Sequence, residues 1–596
     1  MQYRTMMCGE PRSEHAGSSQ TLSGWVHRRR DHGGVIFLDV RDRSGVVQVT
    51  FRQEVSKAAW ELANDARAED VVRVQGKVVK RPSAMINKEI STGQVELEVS
   101  SFTFLSRAKT PPFPVEQDPE KSGSQGNIRE ELRMQYRYMD LRSARPLRNL
   151  LLRDRVISLI RTFLHERGFI EVETPLLTKS TPEGARDYLV PARLHPRSFY
   201  ALPQSPQQFK QLLMVAGVDR YFQIARCLRD EDVRGDRQAE FTQLDLEMSF
   251  TTQKEILDLI EELYTGIVHE LFPEKRVLKE PWPRISYSEA MLKYGSDKPD
   301  LRYGLEIVDI SEQLRDTAFA AFRSALNAGG VVRALCAPSG KEKLSRAKLA
   351  ALQEVAKKAG LPALGEIVLE SDGARSPLVK HLGEEKIQEI RDALEAVTGD
   401  FIFLAAGSAN VVATALGPVR TKLAELLDLI PKNVLAFCYI VDFPLFESEK
   451  TAGHFAPSHH MFTAPKEEDL AMLESAPEQV RSYQHDLVLN GFEIAGGSIR
   501  IHDRKIQEKI FDLIGFTAER KQFFAHMLEA FDYGVPPHGG IAPGIDRLLA
   551  ILLDEPNIRE VIAFPKTGDG RDLLMGAPAP VEPEQLKELH IRIVKQ

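Results

Sequence analysis

Cysteine is scarce in this chain: its four thiols, Cys8, Cys227, Cys336 and Cys438, are spread over 596 residues. Neither the paired spacing of a metal finger nor a disulfide framework can be built from them, which fits a reduced cytoplasmic setting. Long apolar runs are also missing. The N-terminal MQYRTMMCGEPRSE has no apolar core of the kind a signal peptide needs, and no later stretch reaches about 20 apolar residues, so no membrane partner is expected. Positive charge is not in excess either, with 78 Lys plus Arg against 85 Asp plus Glu and a net charge of −7. A uniformly basic nucleic-acid-binding surface is excluded, and any such contact must use local patches.

What is present begins with length, enough for roughly three to five domains that each bury a core. Residues 1–112 reverse the charge balance, with 17 basic against 13 acidic side chains. In this stretch LSGWVHR, VIFLDVRD, VVQVTF, VVRVQGKVVK and QVELEVSSFTFL read as short strands, with AAWELANDA as an inserted helix. The pattern suits an oligonucleotide-binding (OB) barrel, and equally any other small β-barrel. Arg28-Arg29-Arg30 lead into a strand carrying Phe37, with Gln48 on the next strand and Glu96 near the last. Cations hold a nucleic-acid backbone, an aromatic stacks a base, and amides or carboxylates read base edges. The competing reading of Phe37 is a core aromatic. Residues 113–135, rich in Pro, Gly and charge, read as a linker or hinge. Helices then alternate with strands over 136–286 and again over 421–596, which predicts an α+β domain on a mainly antiparallel sheet. Between them, 287–420 is an alanine-rich αβ segment containing AMLKYGSDKPDLR, to which no catalytic role is assigned.

Three further elements carry chemistry. In FLHERGFIEVETPLL, residues 163–177, an amphipathic helix ends at Gly168 and an apolar strand runs into Pro175. Between residues 222 and 250, Arg226, Arg229, Asp230, Glu231, Asp232, Arg234, Asp236 and Arg237 crowd a polar stretch between two apolar strands. Gly539-Gly540-Ile541-Ala542-Pro543-Gly544-Ile545-Asp546-Arg547 reads as a flexible backbone turn ending in an acid and an arginine able to meet a polyphosphate. Taken singly, each has a plain alternative, a surface turn or a solvated ion-pair cluster. With Phe241 to Glu247 as a strand, however, Gln243, Asp245 and Glu247 share one face, and burying two carboxylates there demands cationic partners.

In this order the three elements resemble the signature motifs of class II aminoacyl-tRNA synthetases. The likeness is closest to the bacterial-type aspartyl-tRNA synthetase family and extends from Gly24-Trp25-Val26 to Ala563-Phe564-Pro565-Lys566. It implies an α+β multidomain protein. An OB-type anticodon-binding barrel would occupy 1–112, and a class II antiparallel-sheet catalytic domain would be split between 136–286 (motifs 1 and 2) and 421–596 (motif 3 and a C-terminal extension). An inserted α/β domain would lie at 287–420. The implied activity is that of an aspartate–tRNA ligase, a homodimer that activates L-aspartate with ATP as aspartyl-adenylate and transfers it to the 3′ end of tRNA(Asp).

Joining a carboxylate to the α-phosphate of ATP brings two anions together, so such a site needs arginines and a divalent metal more than a general base. By resemblance Arg229, Arg547 and Glu493 are catalytic, with Arg229 bridging the α-phosphate and the amino-acid carboxylate and Arg547 at the far end of the triphosphate. The implied ATP site adds Asp230, Glu231, Gln238, Phe241, Gly544, Ile545 and Asp546. A pocket for a short carboxylate calls for fixed positive charge, and Lys210 and Arg500 are the candidates. An Arg fork grips a carboxylate in two bonds but opposes the NH2 of an asparagine amide. Lys210 has the alternative of a helix-surface lysine. The resemblance adds Gln207 and His459 as aspartate contacts, Asp245 for the substrate ammonium, and Glu183, on a closing loop TPEGAR that alone would be a surface turn.

Magnesium binds through oxygen ligands, and Asp486 and Glu493 fit, provided a bulge or turn at Asn490-Gly491 brings both to one side. The adjacent His459-His460 could suggest a metal site, but neighbouring residues project differently and no third ligand is evident. Family residues matching Arg30, Phe37, Gln48 and Glu96 bind the anticodon. His32 stands where enzymes restricted to tRNA(Asp) often carry leucine, which raises tRNA(Asn) as a second substrate. Ala542, Asp546 and Met461 depart from common class II or family residues (glycine, glutamate and proline), without loss of charge. Two other functions remain open: a related synthetase for asparagine or lysine, against which Lys210 and Arg500 argue, and a silent tRNA-binding paralogue, which should have lost Arg229, Glu493 or Arg547.

Overall fold

Alternation of apolar and polar side chains closes the N-terminal strands into a barrel. Strands β1 (Ser19–His32), β2 (Val35–Asp42), β3 (Gly45–Phe51), β4 (Val71–Lys80) and β5 (Val95–Ser106) pair in the order β1-β2-β3-β5-β4, with β4 returning to β1. All pairs are antiparallel except β3 with β5. Inward residues such as Val26, Ile36, Leu38, Val40, Val49 and Val74 form one core, while their neighbours face outward. Helix α1 (Lys57–Asn64) fills the β3–β4 connection, its first turn capped by Ser56, which accepts the Ala59 N–H at 3.3 Å. This is the OB topology expected from the sequence.

The computed structural model describes residues 2–115, 128–181, 185–447 and 453–594. These fall into two compact units, 1–152 with 559–580 and 153–558 with 581–596. Part of the expected linker, 116–127, lies outside the described residues; its C-terminal part is a short helix, Glu130–Gln135. Among the described residues no helix is long and apolar enough to cross a membrane.

The second unit is built on an eight-stranded sheet. Its central strands, Phe437–Val441, Gln484–Leu489, Phe492–Ile499, His538–Pro543, Glu240–Ser249 and Arg220–Leu228, are antiparallel throughout. Only the edge strands, Arg284–Ser286 and Ile170–Glu171, pair in parallel. Helix Ala144–Glu166 ends as expected at Gly168, whose φ of +77° lets the Phe169 N–H reach back to the Leu164 carbonyl at 3.1 Å. The strand after it is shorter than expected. It pairs only at Ile170 and Glu171 because it has a single neighbour at the sheet edge, and Val172 to Pro175 continue unpaired apart from the Val172 N–H.

Motif 3 departs more sharply from the sequence reading. Gly539 to Pro543 is not a flexible turn but part of a central strand, flanked on both sides. None of Gly539, Gly540 or Gly544 has positive φ. Glycine is required here for closeness: a Cβ on Gly540 would lie 2.1 Å from Glu247 Oε2 and 2.1 Å from the Leu246 carbonyl oxygen.

The inserted segment forms a five-stranded antiparallel sheet, in which Val331–Ala337 and Phe401–Gly407 are central. Helices Arg346–Lys358 and Ala409–Leu426 pack on one face, and Ala320–Asn327 and Val379–Ala393 on the other, giving two separate apolar layers.

Replacing Gly540 by alanine forces sheet backbone apart and is expected to lower unfolding stability by about 1–3 kcal/mol. Gly544→Ala, whose Cβ would meet only the Ile494 carbonyl at 3.7 Å, is expected to cost less than about 1 kcal/mol. Urea unfolding of the two variants checks this contrast.

Candidate active site

The sheet carries a cavity of about 480 Å³ on one face. Lys210, Arg229, Arg500 and Arg547 all line it, together with Gln207, Glu231, Gln238, Phe241, Asp245, His459, Glu493, Gly544 and Asp546. Residues from four strands and two helices, up to 340 positions apart, are thereby brought together. Glu183 lies outside the described residues. Ile545 is fully buried and does not line the cavity. Asp230 faces an adjoining shallow depression, where it pairs with Arg186 at 3.6 Å.

The cavity floor is a cluster of four buried charges. Lys210, on helix Gln207–Val215, places Nζ 2.8 Å from Asp245 Oδ1 and 3.3 Å from Glu247 Oε2. Arg500 grips Glu247 with Nε at 2.9 Å and Nη2 at 3.2 Å, and its Nη1 donates to Ser498 Oγ at 2.7 Å. Lys210 is 1% exposed, so it is not a helix-surface lysine. Burial works against both carboxylates, but the charges of Arg500 and Lys210 overcome it at Glu247 and hold its pKa down to about 2. At Asp245 burial prevails over Lys210 and the pKa is raised. Asp245 Oδ2 is buried without a hydrogen-bond partner, as is Gln207 Nε2.

Glu247 and Ser498 carry no role in the sequence reading. The alternation along Glu240–Ser249, which puts Glu247 beside Asp245, was the available signal for Glu247, but the pairing with Arg500, 253 residues away, has none.

At the other end, the Arg229 guanidinium lies 5.1 Å from the Phe241 ring centroid, and its Nε is buried and unpartnered. Arg547 opens the helix Ile545–Leu552 and donates to the Glu493 carbonyl and, at 3.3 Å, to the Asp236 carbonyl. Asp546 accepts the Thr242 N–H at 2.8 Å and an Arg153 N–H, so it ties motif 3 to motif 2. Asp486 and Glu493 belong to one hairpin. Asn490 and Gly491 at its tip have φ of +52° and +86°, the turn type that matches strand twist, and the pairing slips between Leu487 and Val488. The turn at Asn490-Gly491 is the irregularity the seven-residue spacing called for: Glu493 lies across from Val488, which shares a face with Asp486. Burial, then the Asp486 charge, raise the Glu493 pKa. Asp486 itself sits behind the cavity lining, accepting from Gln484 Nε2 at 2.8 Å and facing His459 Nε2 at 3.5 Å.

His459 and His460 diverge. Burial disfavours the protonated form of both. Asp486 outweighs burial at His459 and raises its pKa, whereas at His460 the charges of Arg500 and Lys210 reinforce burial and lower it to about 3. Among the described residues no group of three or more His, Cys, Asp or Glu side chains is arranged to hold a metal ion.

On the barrel, Arg30 Nη2 donates to Asp39 Oδ1 at 2.6 Å and to Gln48 Oε1 at 3.1 Å, and Gln48 Nε2 donates to Glu96 Oε2 at 2.7 Å. Phe37 pairs with Arg30 across the strands and is half-buried on the outward face between buried Ile36 and Leu38, so it is not a core aromatic. His32 is exposed, edge-on to Phe37 at 6.5 Å.

The family model for class II tRNA synthetases (D, K and N) matches residues 129–568. The chain belongs to this family. The model of the OB-fold nucleic acid binding domain matches residues 20–105 of the synthetase. It is 54% identical to the aspartate–tRNA(Asp/Asn) ligase of Rubrobacter xylanophilus over 99% of this chain and 97% of that protein. The protein of the same description from Bacillus subtilis is 47% identical over 100% and 99%. Among solved structures, asparaginyl-tRNA synthetase from Pyrococcus horikoshii with asparaginyl-adenylate aligns with a TM-score of 0.59 at 19% identity, over 97% of this chain and 99% of that one, a likeness of fold.

Buried neutral histidines give the synthetase an acid limit. His460 and His485 titrate at about 3 and about 4 when folded against 6.5 for the free side chain, burial being the main cause. Each binds a proton on unfolding below about pH 6.5, so its stabilisation is complete above that pH and lost as pH falls toward the folded values. His459, with a raised pKa, acts in the opposite sense. The urea midpoint of the catalytic domain is expected to fall steadily from pH 6.5 to pH 4; a midpoint that is flat or rises across that window contradicts the buried-histidine assignment.

Proposed function

We propose that the synthetase activates L-aspartate with ATP to form aspartyl-adenylate and esterifies the 3′ end of tRNA(Asp) with it. The observation that carries this reading is the convergence of Lys210 and Arg500 on one buried floor, with Arg229 and Arg547 around the same cavity. The substrate side-chain carboxylate takes donors from Lys210 and Arg500, while Glu247 keeps the Arg500 fork oriented. Asparagine would set its NH2 against those donors. Lysine would be repelled.

The unpartnered oxygen of Asp245 receives the substrate ammonium, whose charge draws the raised pKa of that carboxyl back down. Gln207 and His459 complete the aspartate site, and Glu183 closes over it. The α-carboxylate then attacks the α-phosphorus of ATP, with Arg229 holding both anions, and pyrophosphate leaves from the Arg547 end. Glu231, Gln238 and Phe241 position the nucleotide. In the second step the tRNA terminal hydroxyl attacks the acyl carbon and AMP leaves.

Magnesium fits the Asp486–Glu493 hairpin, because both donors are oxygen and their mutual repulsion adds to the burial that raises Glu493. Glu493 lines the cavity and would hold the ion, with Asp486 behind it. Bound there, the ion would neutralise phosphate charge. For the barrel, we assign anticodon contact to Arg30, Phe37, Gln48 and Glu96, whose outward, mutually bonded side chains offer a stacking ring beside donors and acceptors. We also assign a homodimer through the helix and strand ending at Pro175, where Ile170, Leu176 and Leu177 are 52%, 51% and 53% exposed. The four free cysteines suit the cytoplasm.

Two measurements test this. Pyrophosphate exchange into ATP is expected to depend on aspartate and not on asparagine, and Lys210→Met is expected to raise the KM for aspartate by about 10²- to 10³-fold; exchange without aspartate dependence in a folded sample overturns the assignment. His32 beside Phe37, and the R. xylanophilus relative whose description includes both tRNAs, point to relaxed anticodon choice. Purified tRNA(Asn) is expected to accept aspartate, and no transfer to it alongside normal charging of tRNA(Asp) removes that part.

A further inference from the structure

His460 lines the cavity and has no part in the reaction described above. The turn that it opens is locked to the strand end that bears Arg500. The Thr463 N–H closes the turn on the His460 carbonyl at 3.1 Å, the Ala464 N–H reaches the Ile499 carbonyl at 2.9 Å, and the Ile501 N–H reaches the Phe462 carbonyl at 2.9 Å. Thr463 adds a side-chain link by donating to Ser498 Oγ at 3.1 Å, the same hydroxyl that accepts from Arg500 Nη1 at 2.7 Å. The main chain of His460 is thus fixed relative to the Arg500 fork, and the Phe462 ring, centred 5.0 Å away, backs the imidazole.

The two ring nitrogens differ. Nδ1 accepts the Phe462 main-chain N–H at 3.3 Å, which places the ring proton on Nε2. Burial, reinforced by the charges of Arg500 and Lys210, keeps the ring neutral, with its pKa lowered to about 3. Nε2 is therefore a neutral N–H donor, and it is buried without a hydrogen-bond partner among the described residues. A buried donor left unmatched is costly, so its acceptor belongs to what fills the cavity that the ring lines. His459, by contrast, turns to Asp486, with Nε2 3.5 Å from Oδ2.

The floor has use for such a donor. Of the five N–H bonds of a guanidinium, Arg500 commits two to Glu247 and one to Ser498. Lys210 is engaged by Asp245 Oδ1 at 2.8 Å and by the Leu246 carbonyl at 3.4 Å. A carboxylate entering there brings about four acceptor positions. We propose that His460 Nε2–H is a further donor to the side-chain carboxylate of bound aspartate, and that the Phe462 N–H makes it selective for acid over amide by fixing its tautomer. This rests on the aspartate reading above. To accept from the NH2 of asparagine, Nε2 would have to give its proton to Nδ1, where that proton would point at the Phe462 N–H. If the asparagine carbonyl meets His460 instead, its NH2 is left facing Arg500 and Lys210. A neutral donor adds this discrimination without a third positive charge beside the other two.

Pyrophosphate exchange with aspartate and with asparagine, together with nitrogen NMR of histidine-labelled protein, tests this. His460→Ala is expected to raise the KM for aspartate about 10- to 100-fold, with the KM for ATP unchanged. His460→Gln, whose amide can present either NH2 or oxygen, is expected to recover part of the aspartate affinity and to raise asparagine-dependent exchange about tenfold over the parent chain. In the parent, the His460 signals, identified by their loss in His460→Gln, are expected to show a protonated Nε2 and a bare Nδ1 at neutral pH, and the Nε2 signal is expected to move when aspartate is added. A parent-like KM for aspartate in both variants, a proton on Nδ1, or an Nε2 signal indifferent to saturating aspartate overturns the proposal while aspartate-dependent exchange in the parent stands. A parent chain without such exchange overturns the activity itself, which is a separate outcome.

Discussion

A buried carboxylate between two buried cations is the constraint around which the catalytic unit is organised. Glu247 receives Arg500 through two hydrogen bonds and forms an ion pair with Lys210 at 3.3 Å, and all are withdrawn from water. Removing any one member leaves uncompensated charge in a medium that solvates it poorly, so the cluster is cheap only when complete. Completeness requires three elements to meet: helix Gln207–Val215, strand Glu240–Ser249 and the end of strand Phe492–Ile499. The cavity floor is therefore complete only when the sheet is closed.

The same demand accounts for the glycines of motif 3. Strand His538–Pro543 runs beside Glu247, and the carboxylate occupies the volume where a side chain on Gly540 would stand. Gly497, across the next strand pair, is confined likewise, with His485 Nε2 2.7 Å from its would-be Cβ. Small residues here let side chains from neighbouring strands cross over backbone. Strand pairing continues through them because both sides are satisfied by ladder hydrogen bonds.

Much of this was legible beforehand, and the parts that were not share a cause. Period-two alternation identified the barrel strands, and charge placed on the face of an otherwise apolar strand identified Asp245. The family resemblance singled out Lys210 and Arg500, and the need for cations in a carboxylate pocket supplied the reason. What escaped depends on contacts between remote segments: the glycine strand looked like a turn because glycine signals flexibility locally and close approach only in three dimensions. Glu247 needs Arg500 to acquire meaning, and the turn at Asn490-Gly491 was only a requirement. Ile545 was grouped with its neighbours along a motif, yet helical geometry turns it into the core while Asp546 and Arg547 face the cavity.

The barrel separates two jobs by the pleat of its strands. Ile36, Leu38 and Val40 hold it together, while Phe37 and Asp39, interleaved with them, contribute nothing to that core. Substitutions on the outward set leave that core untouched, so, on the anticodon-contact reading proposed above, decoding preference is free to drift, narrow or broaden over evolutionary time without a compensating change inside. A lineage could move between one cognate partner and two by exchanging side chains that no neighbour in the interior would register.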